Sequence, residues 1–325
     1  MTARKYTKSD AKDAARQLLR GVITAPCAPV DPDGDIDEAG LRHDIRHCID
    51  VIRSGGLYIN GFYGHFWLMS SDQRRRVIEI AVDENKGAVP VICRVAHPSP
   101  VEAIMLAKHA QAVGCDFVSL VAPQFGGADK GIVLGYVGMI AEQVDLGITI
   151  FNTPQAGYSI SPELMAELAT IPNVCALKNQ MPDEHTLRIR QLVGDTIVVI
   201  DPDEEHLLGN ILEHGQPAIY TGTNMMYDSA KAQPMRDYVN AALDGRREEA
   251  TRIHDSMKPA RDLHREWILE PWDRTGLCPI HTVKFWSQQL GMTGGSVPRP
   301  LPSLSEAEQQ KLRAELVAIG LVGSA

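Results

Sequence analysis

Short apolar runs rich in valine and isoleucine alternate along this chain with stretches whose apolar residues recur at helical spacing. Gly21–Pro26 (GVITAP) reads as a first strand, and Asp37–Ser54 then shows helical spacing through Leu41, Ile45, Cys48, Ile49 and Ile52. The same pairing recurs seven more times. Gly56–Phe62 precedes a helix over Asp72–Asn85, Val89–Val95 precedes Ser99–Val113, and Phe117–Pro123 precedes Tyr136–Val144. Gly147–Pro154 precedes a helix opened by Ser161-Pro162-Glu163, and Asn173–Asn179 precedes Asp183–Val193. Thr196–Pro202 is followed by Asp203–His214, and Pro217–Thr223 by Asp228–Leu243. Pro100 and Pro162 stand at early helical positions, where the missing N–H costs nothing.

Strands alternating with helices imply a parallel sheet buried on both faces. Eight such units within roughly 220–250 residues match a closed (β/α)₈ TIM barrel rather than an open doubly wound sheet. No G-x-G-x-x-G follows the first strand, so nothing supports a dinucleotide site. Beyond Leu243 the strand runs stop. Arg246–Leu269, Pro279–Leu290 and Ser303–Ile319 read as helices of a C-terminal extension. The expected division is residues 1–20 as an N-terminal extension, 21–245 as the barrel and 246–325 as the helical region.

Composition narrows the function classes. A formal net charge of −9 argues against a nucleic-acid partner. The charged opening MTARKYTKSDAKDAARQ has no apolar core of a secretory signal, and no run of about 18 apolar residues predicts a membrane span. None of the six cysteines forms a C-x-x-C pair. Reduced cysteines and a cytoplasmic location are the expectation.

In such a barrel catalytic groups sit at the C-terminal ends of the strands. Lys178 stands out among these positions because it follows Val174-Cys175-Ala176-Leu177, a strand expected to be buried on both faces. Desolvation there lowers an amine's pKa, and a neutral amine can attack a carbonyl to form an imine. A lysine that reaches solvent or pairs with an acid fits the same position.

Several motifs resemble the dihydrodipicolinate synthase/N-acetylneuraminate lyase superfamily, from about Gly21 to Leu321. Ala28-Pro29-Val30 matches the first-strand T-P segment. Gly61-Phe62-Tyr63-Gly64-His65-Phe66 aligns with a G-T-T-G-E-S-type loop, and Phe151-Asn152-Thr153-Pro154 with Y-N-x-P. Leu177-Lys178-Asn179 matches the I-K-E/D segment that carries the Schiff-base lysine, and Ile219–Asn224, with Gly222 and Thr223, echoes the eighth-strand segment. The resemblance implies an imine-forming lyase acting on a 2-oxo acid such as pyruvate, without cofactor or metal, assembled as a homodimer or homotetramer.

The departures matter as much. The resemblance places a proton-relaying tyrosine where this chain has Phe151, and another near the end of strand four, aligned here with Phe125. Phenylalanine cannot move a proton. The loop threonines that help to hold a carboxylate are Phe62 and Tyr63. The segment Gln155-Ala156-Gly157-Tyr158 lacks the arginine that dihydrodipicolinate synthases place there, which speaks against that activity itself. Tyr63, His65 and Tyr158 are the candidates to restore proton transfer, each with packing as its competing role. Gly61, Phe62, Phe125, Phe151, Asn152, Gly222 and Thr223 are the candidate substrate contacts.

The aromatic loop Gly61–Trp67 points to a hydrophobic or aromatic group on the substrate, as in the hydratase-aldolases of this superfamily that release pyruvate. The competing account is that Phe66 and Trp67 only fill the helix–barrel interface. Dehydration or decarboxylation of a 2-oxo acid, and a non-catalytic metabolite-binding barrel, stay open as alternatives. His97 is a weaker candidate. Arg74-Arg75-Arg76 reads as a solvated helix face, and the acids from Asp201 to Glu205 as helix N-terminal residues rather than a metal site.

Overall fold

A computed structural model describes residues 6–323. The first five residues of the charged opening segment and residues 324–325 of the helical region lie outside them. All eight expected strands form: β1 (Gly21–Thr24), β2 (Gly56–Ile59), β3 (Val91–Arg94), β4 (Phe117–Leu120), β5 (Gly147–Asn152), β6 (Val174–Asn179), β7 (Val198–Ile200) and β8 (Ala218–Thr221). They pair in parallel in the order β7-β6-β5-β4-β3-β2-β1-β8, and β7 meets β8 to bring the sheet almost full circle. The architecture is therefore the expected (β/α)₈ barrel with a helical C-terminal extension.

Every strand residue is buried except Gly21, at the N-terminal end of β1, and Lys178, near the C-terminal end of β6. Inside the barrel Ile23, Tyr58, Ile92, Phe117, Ala176, Ile200 and Tyr220 form one apolar cluster. The other face of the sheet packs against the surrounding helices in a second, larger cluster. Such a core holds the strand ends rigidly, which the chemistry at the barrel mouth requires.

A helix that the periodicity did not reveal, α1 (Ala11–Leu18), packs against β5, β6 and β7. Its Ala11, Ala14 and Ala15 are buried, and their small side chains allow the close approach that joins α1 to the inner cluster. The barrel helices α2 (Glu38–Arg46), α3 (Ser71–Asn85), α4 (Pro100–Val113), α5 (Lys130–Gln143), α6 (Pro162–Leu168), α7 (Asp183–Val193) and α8 (Glu204–His214) form where the pattern placed helices, although α5 starts before the expected Tyr136, capped by Asp129, and α2 passes into a π-helical turn over His47–Val51. Ser99 and Ser161 cap α4 and α6, with Pro100 and Pro162 in the first turn.

The single helix expected over Asp228–Leu243 is instead two, α9 (Asn224–Tyr227) and α10 (Pro234–Leu243). The buried Asp228 carboxylate accepts from the Met235 and Arg236 N–H groups, so it starts α10 rather than lying within a helix. Arg246–Leu269 is likewise broken, into α11 (Arg247–Ser256), α12 (Lys258–His264) and a π-helical turn over Arg265–Leu269. A further helix, α13 (Glu270–Thr275), lies between the expected ones, with Pro271 in its first turn, where proline is accepted. Helices α14 (Ile280–Gln289) and α15 (Glu306–Ala318) complete the chain.

The extension is clamped over the barrel mouth. Arg261 of α12 pairs with Glu204 of α8 at 2.8 Å with both side chains nearly buried, and the Tyr238 hydroxyl donates to the same carboxylate at 2.7 Å. All six cysteines are free and buried, and among the described residues no helix is long and apolar enough to cross a membrane.

Candidate active site

Lys178 enters the site because β6 alternates its side chains between the two faces and ends at the mouth. Its Nζ lies 4.0 Å from the centre of the Phe151 ring, its register partner on β5, and 5.5 Å from that of Tyr58. Ring faces attract a cation only weakly, and loss of water is not repaid by an acid. Desolvation, with Arg94 nearby, pulls the amine's pKa down to about 7. Roughly half of such amines are neutral at pH 7, compared with about one in 3,000 for an ordinary lysine.

The amine opens into a cavity of about 160 Å³ lined also by Tyr63, Phe151, Gly222, Thr223, Tyr227 and Trp272. Alongside lies a larger chamber of about 680 Å³, within the usual range for small-molecule sites. Phe62, Gln155 and Trp272 line both. Phe62 packs edge-on to Phe151 and to Trp272, with ring centres 5.8 Å apart in each pair. Phe66 and Trp67 also line the larger chamber, so these rings face ligand space as well as the barrel wall.

The structure sorts the sequence candidates. Lys178, Phe62, Tyr63, Phe151, Gly222 and Thr223 come together around the amine. Gly222 is required by close approach, since a Cβ there would fall 2.0 Å from the Tyr63 ring. Burial keeps the Tyr63 hydroxyl protonated beyond its usual range.

The remaining candidates are placed elsewhere. Gly61 lines neither cavity; it lets the backbone pass the Tyr58 ring, where a Cβ would come within 3.0 Å. Asn152 is buried and spends its amide on the Ile160 backbone and on Asn179, holding the loop after β5. Phe125 is 76% exposed and faces neither cavity of its own chain. Tyr158 is 38% exposed and packs against Gly127, on the loop after β4.

His65 does not face the lysine. It is buried, its Nε2 donates to the Ala28 carbonyl at 2.9 Å, and burial lowers its pKa to about 4. The Lys284 ammonium donates to the same carbonyl at 3.0 Å. His65 thus ties the loop after β2 to the segment after β1. His65→Ala is expected to destabilise the fold by about 1–3 kcal/mol, because it removes a buried ring and one of the two hydrogen bonds to the Ala28 carbonyl. Borohydride trapping at Lys178 should be unchanged in the variant at a temperature where it stays folded. Chemical denaturation and mass spectrometry check the two halves of that expectation.

Arg74 departs from the solvated face expected for its triplet. It is 3% exposed, and its guanidinium donates to the Ala96 and Arg94 carbonyls at the end of β3. Arg75 and Arg76 do pair on the surface, with Asp72 and with Glu38 and Glu79. The helical phase holds the difference, since Arg74 shares the inner face of α3 with Val77, Ile78 and Ala81. His97 lines the larger chamber, where its Nδ1 accepts from Ser99 N–H at the start of α4. Asp203 caps α8, as its acidic segment suggested.

Tyr58, Tyr220, Arg94 and Trp272 are among the lining residues that escaped the sequence reading. The signal for Arg94 was present, because a charged residue at the end of the VICR strand invites the argument made for Lys178. Trp272 had no such signal, arriving from a helix the pattern did not show.

Comparison with known proteins accords with this geometry. The chain is 34% identical over 297 residues to an N-acetylneuraminate lyase of Clostridium perfringens, which spans 91% of this chain and 98% of the relative. It is 30% identical over 310 residues to a 4-hydroxy-tetrahydrodipicolinate synthase of Methanosarcina barkeri, spanning 94% of this chain and all of the relative. The crystal structure of dihydrodipicolinate synthase from Aquifex aeolicus superposes with a TM-score of 0.81 at 25% identity, covering 94% of this chain and 100% of that one. Residues 18–319 match the model of the dihydrodipicolinate synthetase family. With an amine at the mouth of a (β/α)₈ barrel and this likeness along nearly its whole length, the chain belongs to the dihydrodipicolinate synthetase family and is a lyase of the class I aldolase type.

Proposed function

We propose that this enzyme makes or breaks the carbon–carbon bond beta to the carboxylate of a 2-oxo acid, through an imine at Lys178, on substrates with a hydrophobic or aromatic group. One observation carries the reading: the Lys178 amine faces aromatic rings and, among the described residues, is paired with no acid.

The neutral amine attacks the C2 carbonyl and expels its oxygen as water, which leaves a protonated imine. That cation withdraws the electron pair of the C3–C4 bond as the C4 hydroxyl loses its proton. C4 leaves as an aldehyde or ketone, and C2–C3 remains as an enamine. The enamine takes a proton at C3, and water releases pyruvate and regenerates the amine. Condensation is the same sequence reversed.

The smaller cavity has room for the pyruvyl unit and the larger one for the remainder of the substrate. Its walls of Phe62, Phe66, Trp67 and Trp272 suit a ring or an apolar chain better than a polyhydroxylated one, which would leave hydroxyls unpaired. Tyr63 is the proposed proton-transfer group in place of the hydroxyl that Phe151 lacks.

Treatment with pyruvate and borohydride should add the mass of a reduced pyruvyl group to Lys178 alone. 4-Hydroxy-2-oxo acids with an aromatic substituent at C4 should release pyruvate. An unmodified Lys178 removes the imine; labelling without pyruvate release, with the carbon chain retained or carbon dioxide lost, turns the assignment to dehydration or decarboxylation.

A further inference from the structure

We propose that Arg94 is the receptor for a carboxylate on the ligand that fills the larger chamber, so that the substrate is a diacid with its second carboxylate remote from the 2-oxo group. Arg94 closes β3, is 4% exposed, and lines that chamber. Its guanidinium carbon lies 4.1 Å from the centre of the Phe66 ring and 5.0 Å from that of Phe62. Its Nε and Nη1 are buried without a hydrogen-bond partner. Among the described residues, no aspartate or glutamate lines the chamber.

This is not the ordinary treatment of arginine in this chain. The nearly buried Arg261 has Glu204 at 2.8 Å. Arg74, which also lines the chamber, spends its outer nitrogens on carbonyls, so its charge is unbalanced too. Two buried cations with no counter-ion, in a protein of net charge −9, are costly to hold. Unlike Lys178, an arginine cannot escape by releasing its proton at neutral pH. The aromatic faces offset only part of that cost. An oxyanion entering the chamber would meet a guanidinium with two unpaired nitrogens, and hydrogen bonds from such a cation to a carboxylate are strong.

The site lies on a different strand from the segment Gln155–Tyr158, where an arginine is missing, so the second carboxylate need not have been given up with it. Phe62, Gln155 and Trp272 border both cavities, so the two lie side by side and a ligand reaching from Lys178 to Arg94 would pass between these side chains. That the ligand is the substrate rests on the imine reading. Carboxylate binding at Arg94 does not.

Trp67 and Trp272 line the chamber, so tryptophan fluorescence reports its occupancy. Titration with benzoate and its neutral counterpart benzamide separates charge recognition from ring packing. Benzoate should bind at least about tenfold more tightly than benzamide, both in the wild type and in Lys178→Ala. Arg94→Met should weaken benzoate by about 10–100-fold, leave benzamide unchanged and raise Tm, since it removes an unpaired buried cation. Arg94→Lys, which keeps the charge but not the guanidinium, should fall between the two.

Equal affinity for the two probes, or unaltered benzoate binding in a folded Arg94→Met, overturns the proposal and leaves Arg94 as a packing element. Charge-selective binding without a pyruvate–borohydride adduct would retain the receptor and remove the imine. An adduct without charge-selective binding would do the reverse.

Discussion

Lys178→Met is expected to lower turnover by about 10⁴-fold or more, as loss of a covalent nucleophile does, and to abolish the borohydride adduct. The same change should stabilise the fold near neutral pH, because it removes an amine held out of water. The sign follows from the two pKa values. The folded amine titrates at about 7 and the unfolded one near the ordinary 10.5. Below pH 7 both states carry the proton, and the native state bears the full cost of a desolvated charge. Between the two values only the unfolded state keeps the proton, so native stability recovers as pH rises. Above 10.5 neither state is charged. The Tm advantage of Lys178→Met should therefore be largest at pH 7 and below, and should fade toward pH 10.5. Wild-type imine trapping should rise through pH 7 with the neutral amine. Parallel melts of both proteins across this range, with single-turnover trapping, check both effects; turnover in Lys178→Met within tenfold of wild type would end the covalent mechanism.

Tyr63→Phe carries the second large effect. General acid–base groups contribute about 10²–10⁴-fold, and the expected loss in kcat lies in that range. Tyr63 lines the lysine cavity beside Gly222 and Trp272, and burial keeps its hydroxyl protonated. Pyruvate should still be trapped on Lys178, since the amine and the packing of the ring remain. A kcat within about threefold of wild type would move proton transfer to another group in the cavity. Tyr220 is then the next candidate, as its buried hydroxyl has no partner.

Much of the site was legible because local pattern and burial are coupled in a parallel barrel. A β-branched run must be buried on both faces, so a lysine at the end of VCALK reports its own desolvation. The aromatic loop left two roles open, ligand contact and interface packing, and its rings line the larger chamber. His65 and Asn152 were not legible. Whether a polar side chain faces ligand or satisfies a backbone group depends on a carbonyl distant in sequence, Ala28 for the one, and on the path of a loop, at Ile160, for the other. Arg74 was hidden for the opposite reason. Its charge suggested solvent, and only the packing of α3 over the end of β3 buried it.

The order of the strands and of the helices between them, the closed parallel sheet and the lysine at its mouth all follow from the sequence. Each depends on periodicity and on the solvation of single residues, which a chain carries locally. The division of the site into two cavities, the roof that α13 builds with Trp272, and the arginine left without a counter-ion were decided only by the tertiary structure. They depend on which groups, far apart along the chain, come within a few ångströms, and no local pattern encodes that distance.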